Sequence, residues 1–363
     1  MALHHVPQLL AVLYRRMRYP LDFSFDASDE DEGEEEMLRS QLRKAYVNIG
    51  RACPEATLQF LCAALQALPA PPGQLPWPDA EAALRLIHHY SEACAGATGG
   101  ARLLKEGAFP QVVLALHGSD IASHPHPQVL MLYYELTVRY SKILRSSTRL
   151  AALAPVMDAL CGPRGLLHPN RQLRTRCCYF LTKLTRQLGT EMRDYVDTAV
   201  PGIQALLAAH ADFGLGEDAC LNLYETMGVL IGMQGVEPAK QLRYLEGILG
   251  PQFAEVRRLL AILEAAARTG TGNGAGSGVG NGVGNGGGAS SSAGDGGGGN
   301  AEAAGTALAL SVAVIANVSK GFNKPQDTLT PIFAQVMEAT GAAVLAMPQH
   351  EALRAKTLFL IHR

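Results

Sequence analysis

The sequence predicts an all-α fold, an α-solenoid of HEAT-type helix pairs, and three observations lead to this prediction. Every sustained apolar pattern has helical period, and no stretch alternates apolar and polar residues as a half-buried strand does. Hydrophobic residues make up 48% of the 363-residue chain and are mostly Leu, Ala and Val, which suits stacked helices. The first helices of successive pairs are spaced by roughly 40–48 residues, as in HEAT and armadillo repeats, and begin near residues 38, 79, 127, 170 and 217.

Residues 1–36 are predicted to form a short helix followed by an acidic loop. Residues 3–17 are amphipathic and end in basic residues, which complement the helix dipole. The aromatic residues Tyr19, Phe23 and Phe25 are expected to anchor the stem of the loop on neighbouring helices. Nine of the 33 acidic residues lie between positions 22 and 36, and none of the 31 lysines and arginines does, so the rest of the chain is net positive.

Residues 37–269 are predicted to contain the main run of HEAT-type helix pairs. Pro201 is expected to kink or split the helix at 191–209, because proline lacks the backbone donor that an interior helical position uses. The predicted pairs are 37–53 with 54–68, 79–94 with 103–117, 127–144 with 150–160, 170–188 with 191–209, and 217–233 with 238–267.

The helix between Asn170 and Gly189 has the sharpest signals in the chain. Asn170 suits an N-cap and Gly189 a C-cap. With 3.6 residues per turn, Arg176, Lys183 and Arg186 fall together on the side opposite the apolar face. That apolar face, which we expect to be buried, consists of Leu173, Cys177, Phe180, Leu181, Leu184 and Leu188.

A Gly/Ser/Asn-rich segment at 270–305 is predicted to be a disordered linker. Glycine supplies 16 of the 31 residues between 270 and 300, and such a tract cannot bury apolar surface. Its G-x-G-x-x-G match at 282–287 follows no predicted strand and is not a nucleotide site. Further HEAT-type helices are predicted in 306–363, at 306–322, at 327–346 and from 351 onward.

The remaining motifs predict no chemistry. Seven cysteines without a CxxC motif, mostly on apolar helix faces, indicate reduced core thiols. His124 and His126 each precede a proline at a helix entry, which favours a structural turn over a metal site. Tyr133 and Tyr134 are expected in the core and not on a base-stacking surface. No run approaches the ~18 apolar residues of a membrane span, and no catalytic motif occurs. We therefore expect no enzymatic activity, cofactor, metal or membrane association.

Five strings resemble exportin-T, the tRNA export receptor family among the importin-β-like karyopherins. They occur in the family's order from about residue 19 to the end, and plain HEAT proteins share only the period. The resemblance covers almost all of this chain but only the central part of the family's chain, so we expect a fragment or an incomplete gene model. The strings are YPLDFSFD with its acidic run, SHPHPQVLMLYYELTVRYSKIL, RGLLHPNRQLRTRCCYFLTKLTRQL, YETMGVLIG and SKGFNKP.

The resemblance implies a receptor that binds mature tRNA cooperatively with GTP-loaded Ran. It implies passage through the nuclear pore, with contacts to pore proteins, and release on GTP hydrolysis, so that the protein shuttles between nucleus and cytoplasm and binds no DNA. Two arginines near the N-terminal end of the 170–188 helix, Arg171 and Arg174, are then expected to touch tRNA phosphates together with Arg145 and Arg164, whereas the middle stripe of the helix is not. The acidic loop is expected to contact Ran through Asp29, Glu30, Asp31, Glu32, Glu34, Glu35 and Glu36.

Other interpretations stay open on the residues alone. A HEAT-repeat karyopherin-like scaffold or transport receptor with protein cargo would bind RNA weakly and without strong salt dependence. An enzyme with an unfamiliar site is a further alternative. The basic helix face also fits an ordinary solvated surface, and the acidic segment fits a solvated, disordered loop.

Overall fold

The fold is known from a computed structural model, which describes residues 5–25, 30–66, 75–95, 100–145, 153–270, 296–322 and 326–362. Regular structure within these residues is entirely helical, without a strand. The predicted fold class, an all-α α-solenoid of HEAT-type helix pairs, is confirmed. The chain divides into two compact units: unit 1 comprises residues 1–191 with 210–219, and unit 2 comprises residues 192–209 with 220–363.

In unit 1 the first helices of successive helix pairs pack on one another in chain order. Helix α2 packs on α4, α4 on α7 and α7 on α10, while α3 packs on α4 and α6. Each helix thus covers the apolar face of the next, as repeat architectures require. The described helices are α1 (Val6–Arg16), α2 (Glu30–Ala52), α3 (Pro54–Leu65), α4 (Trp77–Ala95), α5 (Gly100–Lys105), α6 (Ala108–His117), α7 (Pro127–Arg139), α8 (Ser141–Leu144), α9 (Leu153–Cys161) and α10 (Arg171–Leu188).

Two predicted helices of unit 1 are divided in the structure. The segment predicted at 103–117 forms α5 and α6, because Gly107 adopts a φ of 81° that a right-handed helix does not contain. The segment predicted at 127–144 ends at Arg139 and resumes as α8, with Tyr140 between them at φ −107° and ψ 15°.

The core of unit 1 is rich in aromatic residues. Tyr133 and Tyr134 are each 1% exposed, which confirms that they pack in the core. The Phe109 ring lies 5.5 Å from that of Tyr90 and 5.3 Å from that of Tyr140, within the range of favourable aromatic pairs. The seven cysteines, all of which lie in the described residues, form no disulfide.

Unit 2 centres on α14. This helix packs on α13 and α16, and α13 also packs on α15. The core between these helices is aliphatic and includes Val256, Leu259, Leu308, Val312 and Leu353. Apart from the first turn of α12, the helices of unit 2 are α11 (Val196–Ala208), α12 (Glu217–Ile231), α13 (Pro238–Gly270), α14 (Gly296–Ser319), α15 (Thr330–Ala346) and α16 (Glu351–Ile361).

The expectation that Pro201 splits its helix is wrong. Pro201 lies inside α11, where its side chain is exposed, and the helix continues to Ala208. The break comes earlier, where residues Gly189–Tyr195 form a 3-10 helix before α11 begins. A single proline removes one helical hydrogen bond, and the neighbouring turns hold the helix together.

The predicted linker at 270–305 is shorter than the sequence suggested. Residues 271–295 lie outside the described residues, but residues 296–305 form the first turns of α14, ten residues before its predicted start at 306. Ala304 and Gly305 are already buried there, because the alanine-rich sequence that follows residue 300 favours helix and packs in the core. The remaining divisions into domains at 37–269 and 306–363 stay predictions.

Two helices of unit 2 are long and apolar enough to span a membrane by length and composition, although the sequence shows no unbroken apolar run of that length. They cover residues Ala301–Ser319 and Asp327–Ala346. The first of these windows is 67% buried, so packing against α13 and α16 accounts for its apolar character. The absence of membrane association remains a prediction.

Candidate nucleic-acid interface

Helix α10 carries the basic face that the sequence singled out. The Asn170 side chain accepts a hydrogen bond from Leu173 N at 3.0 Å, and Gly189 ends the helix with a φ of 59°, so both predicted caps are confirmed. The predicted apolar face is confirmed as well, since each of its residues is buried: Leu173, Cys177, Phe180, Leu181, Leu184 and Leu188.

The opposite face of α10 combines cations with an exposed aromatic ring. Arg176 and Lys183 lie 5.5 Å and 5.3 Å from the ring centroid of Tyr179, which is 38% exposed. Arg186 is exposed one turn further on. The helix has five basic residues and no acidic one, so nothing within it neutralises this stripe of Arg176, Tyr179, Lys183 and Arg186. Cations beside an exposed ring are a common arrangement on surfaces that bind nucleic acids.

Three of the four arginines predicted to contact tRNA are exposed. Arg171 occupies the first position of α10, and Arg145 and Arg164 lie in the segments that follow α8 and α9. Their exposure leaves the guanidinium groups accessible to phosphates.

Arg174 has a different environment from the other three. Its guanidinium donates to the backbone carbonyls of His168 at 2.6 Å and Pro169 at 2.8 Å, and also to that of Phe213. The side chain therefore fastens the loop before α10 to the loop at residues 210–215, both within unit 1. Sequence reasoning missed this role, because Phe213 is 39 residues away along the chain and the bond leaves no local pattern.

The acidic segment is helical where the sequence predicted a loop. Helix α2 begins at Glu30, so Glu30 to Glu36 form its first two turns. Acidic side chains are stabilised at a helix N-terminus by the helix dipole, and the high charge therefore did not prevent helix formation. Asp29 lies outside the described residues. Glu34 and Glu36 are exposed and Glu35 is half-buried.

The aromatic residues after α1 anchor the chain as predicted. The Tyr19 ring lies 4.5 Å from Phe23 and 5.7 Å from Trp77, and the Trp77 indole donates to the Leu21 carbonyl at 3.2 Å. His126 stacks on Trp77 with ring centroids 4.1 Å apart.

His124 completes this turn. Its Nδ1 accepts a hydrogen bond from the His126 backbone N–H at 3.1 Å, and its Nε2 lies 3.3 Å from the Leu75 carbonyl. Both histidines thus have structural contacts, in agreement with the predicted turn.

The sequence analysis did not identify one cluster of titratable side chains. His88, His89 and Glu92 place nitrogen and carboxylate atoms within 4.8 Å of one another on α4. The signal available was only HHxxE on a predicted helix, which is too common to be informative. Glu92 also accepts two hydrogen bonds from Arg43, at 2.9 and 2.7 Å.

In unit 2, two of the strings that carry the family resemblance meet through glycines. A Cβ added at Gly228 would overlap the Val318 carbonyl, and one at Gly321 would overlap the carbonyl of Gly228. A Cβ at Gly232 would overlap the Gly321 carbonyl. The backbone of α12 therefore lies in direct contact with the end of α14. A side chain at any of these glycine positions would not fit between the two backbones.

Comparison with known proteins decides the family. A family model described as Exportin-T matches residues 3–269, which is most of the chain. The chain belongs to the exportin-T family.

The curated relatives extend this match at low identity. The chain is 22% identical to Exportin-T of Arabidopsis thaliana over 99% of its length and 34% of the relative's. It is 24% identical to Exportin-T of Oryza sativa subsp. japonica over 99% of the chain and 35% of the relative. With Exportin-T of Homo sapiens the identity is 24% over 72% of the chain and 28% of the relative. The chain thus spans about a third of the length of the plant relatives it matches.

Proposed function

We propose that this chain acts in a tRNA nuclear export receptor that binds tRNA together with GTP-loaded Ran. In this proposal the receptor contacts nuclear pore proteins, moves between nucleus and cytoplasm, and releases tRNA when Ran hydrolyses its GTP. It is not itself an enzyme. Membership of the exportin-T family across residues 3–269 is the observation that carries the proposal. An α-helical array with a basic face is physically suited to follow the backbone of an RNA of fixed shape.

The RNA contact is proposed at the exposed cations of α10. The stripe, although the sequence did not lead us to expect it to touch tRNA, supports the proposal best, because Arg176 and Lys183 flank an exposed tyrosine on a helix without acidic residues. Arg145, Arg164 and Arg171 stay in the proposal as exposed arginines. Arg174 is withdrawn from it, since three backbone carbonyls already occupy its guanidinium.

The acidic start of α2 is proposed as the contact for Ran. Its carboxylates would act at long range on a basic partner and so would increase the association rate. Replacing Glu30, Asp31, Glu32, Glu34 and Glu35 by their amides is expected to slow association with Ran·GTP at low salt. The difference should diminish when the Debye length falls from about 30 Å at 0.01 M salt to about 8 Å at 0.15 M. An unchanged association rate at low salt would contradict this part of the proposal.

The proposal as a whole is tested by tRNA binding to the purified protein alone, with Ran·GTP and with Ran·GDP. We expect the apparent tRNA affinity to rise with Ran·GTP and not with Ran·GDP, and to fall steeply with salt. Weak, salt-insensitive tRNA binding that Ran·GTP does not change would favour the alternative, a HEAT-repeat transport receptor or scaffold with protein cargo.

A further inference from the structure

Tyr179 is an exception among the aromatic residues of this protein. Aromatic side chains contribute most to stability when they are buried, and nearly all of those in the described residues are buried or half-buried. The two that are exposed are Tyr179 in unit 1, at 38%, and Phe359 in unit 2, at 37%. An aromatic ring that the fold leaves open to solvent is available to a binding partner.

The ring of Tyr179 lies between two cations on the same face of α10. Arg176 precedes it by three residues and Lys183 follows it by four, spacings that bring side chains together on a helix. Their charged groups lie 5.5 and 5.3 Å from the ring centroid. The guanidinium of Arg39, in contrast, lies 3.7 Å from the Tyr19 ring, as stacked groups do. The two cations therefore flank the Tyr179 ring and do not cover it as Arg39 covers Tyr19.

These two cations are also available to an anion. Arg176 is exposed and Lys183 is half-buried, and no carboxylate among the described residues is paired with either of them. Phe359 differs in this respect. The Nζ of Lys320 lies 4.7 Å from its ring, but that amine is 12% exposed and already bonded to Glu225. Within the described ranges, an exposed ring with two unpaired cations beside it thus occurs at Tyr179.

The combination of ring and cations fits one kind of ligand better than its competitors. The phosphates of duplex RNA would contact the cations but would leave the ring unused, because the bases of a duplex are stacked on one another. An acidic peptide would likewise satisfy only the cations. An unpaired base, however, stacks on an exposed aromatic ring. The phosphates on its two sides then lie near Arg176 on one side and Lys183 on the other.

We propose that Tyr179 stacks on an unpaired base of the bound RNA, so that this surface of α10 prefers single-stranded RNA to a duplex. The inference rests on the RNA contact proposed above for the stripe, and adds that the part of the RNA bound there is a loop or an end. Since every base has a flat face, the ring selects for an unpaired base and not for a particular one.

The test is the binding of three RNA probes to the whole protein. They are a short single strand that carries a fluorescent 2-aminopurine base, a duplex of the same length, and an abasic strand with the same phosphates. We expect the single strand to bind most tightly and its fluorescence to be quenched by stacking. Tyr179→Leu should weaken binding of the single strand by about tenfold, equal to about 1.4 kcal/mol. The salt slope should stay as it is, because this change removes no charge.

Two further variants separate stacking from a loss of structure. Tyr179→Phe keeps the ring and should retain the quenching that Tyr179→Leu loses. Phe359→Leu is the matched control at the other exposed ring and should leave binding of the single strand unchanged. The comparison of the base-containing strand with the abasic strand needs no variant, so it tests the proposal even if a substitution disturbs the fold.

Three results would each overturn the proposal. They are equal affinity of the wild type for the base-containing and abasic strands, equal affinity for a glutamate peptide of the same charge, and single-strand binding by Tyr179→Leu that matches the wild type. If tRNA binding responds to Ran·GTP while one of these results is found, this inference fails and the export function stands. If single-strand binding depends on Tyr179 but Ran·GTP has no effect on tRNA binding, the export function fails and this inference stands.

Discussion

Helices α10 and α12 both carry strings that resemble the exportin-T family, but the string in α10 forms a basic surface and the string in α12 forms a close backbone contact. Helix α10 has five basic residues and no acidic one, and its stripe combines the exposed Arg176 and Arg186 with the half-buried Lys183. Helix α12 has three acidic residues and no basic one, and Gly228 and Gly232 place its backbone against the end of α14. The string in α10 thus places positive charge on the helix surface, while the string in α12 places glycines where any side chain would prevent the contact with α14.

Because their contacts differ, the two helices should respond to different substitutions. On α12 any added volume at the glycine contact has to move one backbone away from another, which is costly whatever the chemistry of the side chain. On α10 the exposed charges contribute little to stability, so their removal should be seen in binding and not in unfolding.

The largest expected effect is at the glycine contact of unit 2. Gly228→Val would place a branched side chain against the Val318 carbonyl and should destabilise the protein by about 4 kcal/mol or more, since backbone cannot yield as a side chain does. Chemical denaturation followed by circular dichroism measures this. Gly250→Ala, at a position in α13 where an added Cβ meets nothing within 4 Å, is the control and should leave stability unchanged or raised by a few tenths of a kcal/mol. Equal tolerance of both changes would mean that α12 and α14 are not in backbone contact.

A buried ion pair beside that contact should give the next effect. Lys320 bonds to Glu225, with side chains 12% and 10% exposed, and also to Asn317 at 2.7 Å. Lys320→Met should cost about 3–5 kcal/mol at neutral pH, because it leaves the Glu225 carboxylate buried without its cation. Glu225→Gln in the Lys320→Met background should restore part of the loss. If the Lys320→Met variant is as stable as the wild type at pH 7, the ion pair between Lys320 and Glu225 does not stabilise the fold and the prediction is wrong.

Arg174 should show a smaller effect, and of a kind that its neighbours on α10 do not share. Arg174→Met keeps the aliphatic stem and removes the donors to the loop carbonyls, so we expect a loss of about 1–3 kcal/mol. Asn170→Ala, which removes the N-cap of the same helix, should cost about 1 kcal/mol. Arg171→Met is the matched control at an exposed arginine and should leave the thermal midpoint within error. Equal midpoints for the variants at 171 and 174 would return Arg174 to the group of surface arginines.

These helices also show which features a sequence can reveal. The caps and faces of α10 were predictable because each depends on residues within a few positions, as in the bond from Leu173 N to Asn170. The hydrogen bond from Arg174 to the Phe213 carbonyl and the contact of Gly228 with Val318 were not predictable, since the partners lie 39 and about 90 residues away along the chain. The helical start of α2 was missed for another reason. Charge density suggested a solvated loop, while the helix dipole favours those same carboxylates at an N-terminus.

The measurement that tests the account most directly is the salt dependence of tRNA binding for charge-neutralised variants of α10. Arg176→Gln with Lys183→Gln should leave the thermal midpoint unchanged, weaken tRNA binding and flatten the log–log salt slope. Each lost phosphate contact contributes about 0.7–0.9 to that slope, so two contacts correspond to between about one and two units. The control, Arg102→Gln with Arg258→Gln, removes two exposed arginines elsewhere and should leave the slope as it is.

The same experiment on Arg164→Gln with Arg171→Gln compares the end of α10 with its middle. We expect the stripe variant to lose at least as much slope as this end variant. If the stripe variant keeps the wild-type affinity and slope while the end variant loses both, RNA binds at the helix end and the stripe is a solvated surface. If neither variant nor the control differs from the wild type, the basic face of α10 does not contact tRNA, which would contradict the central claim.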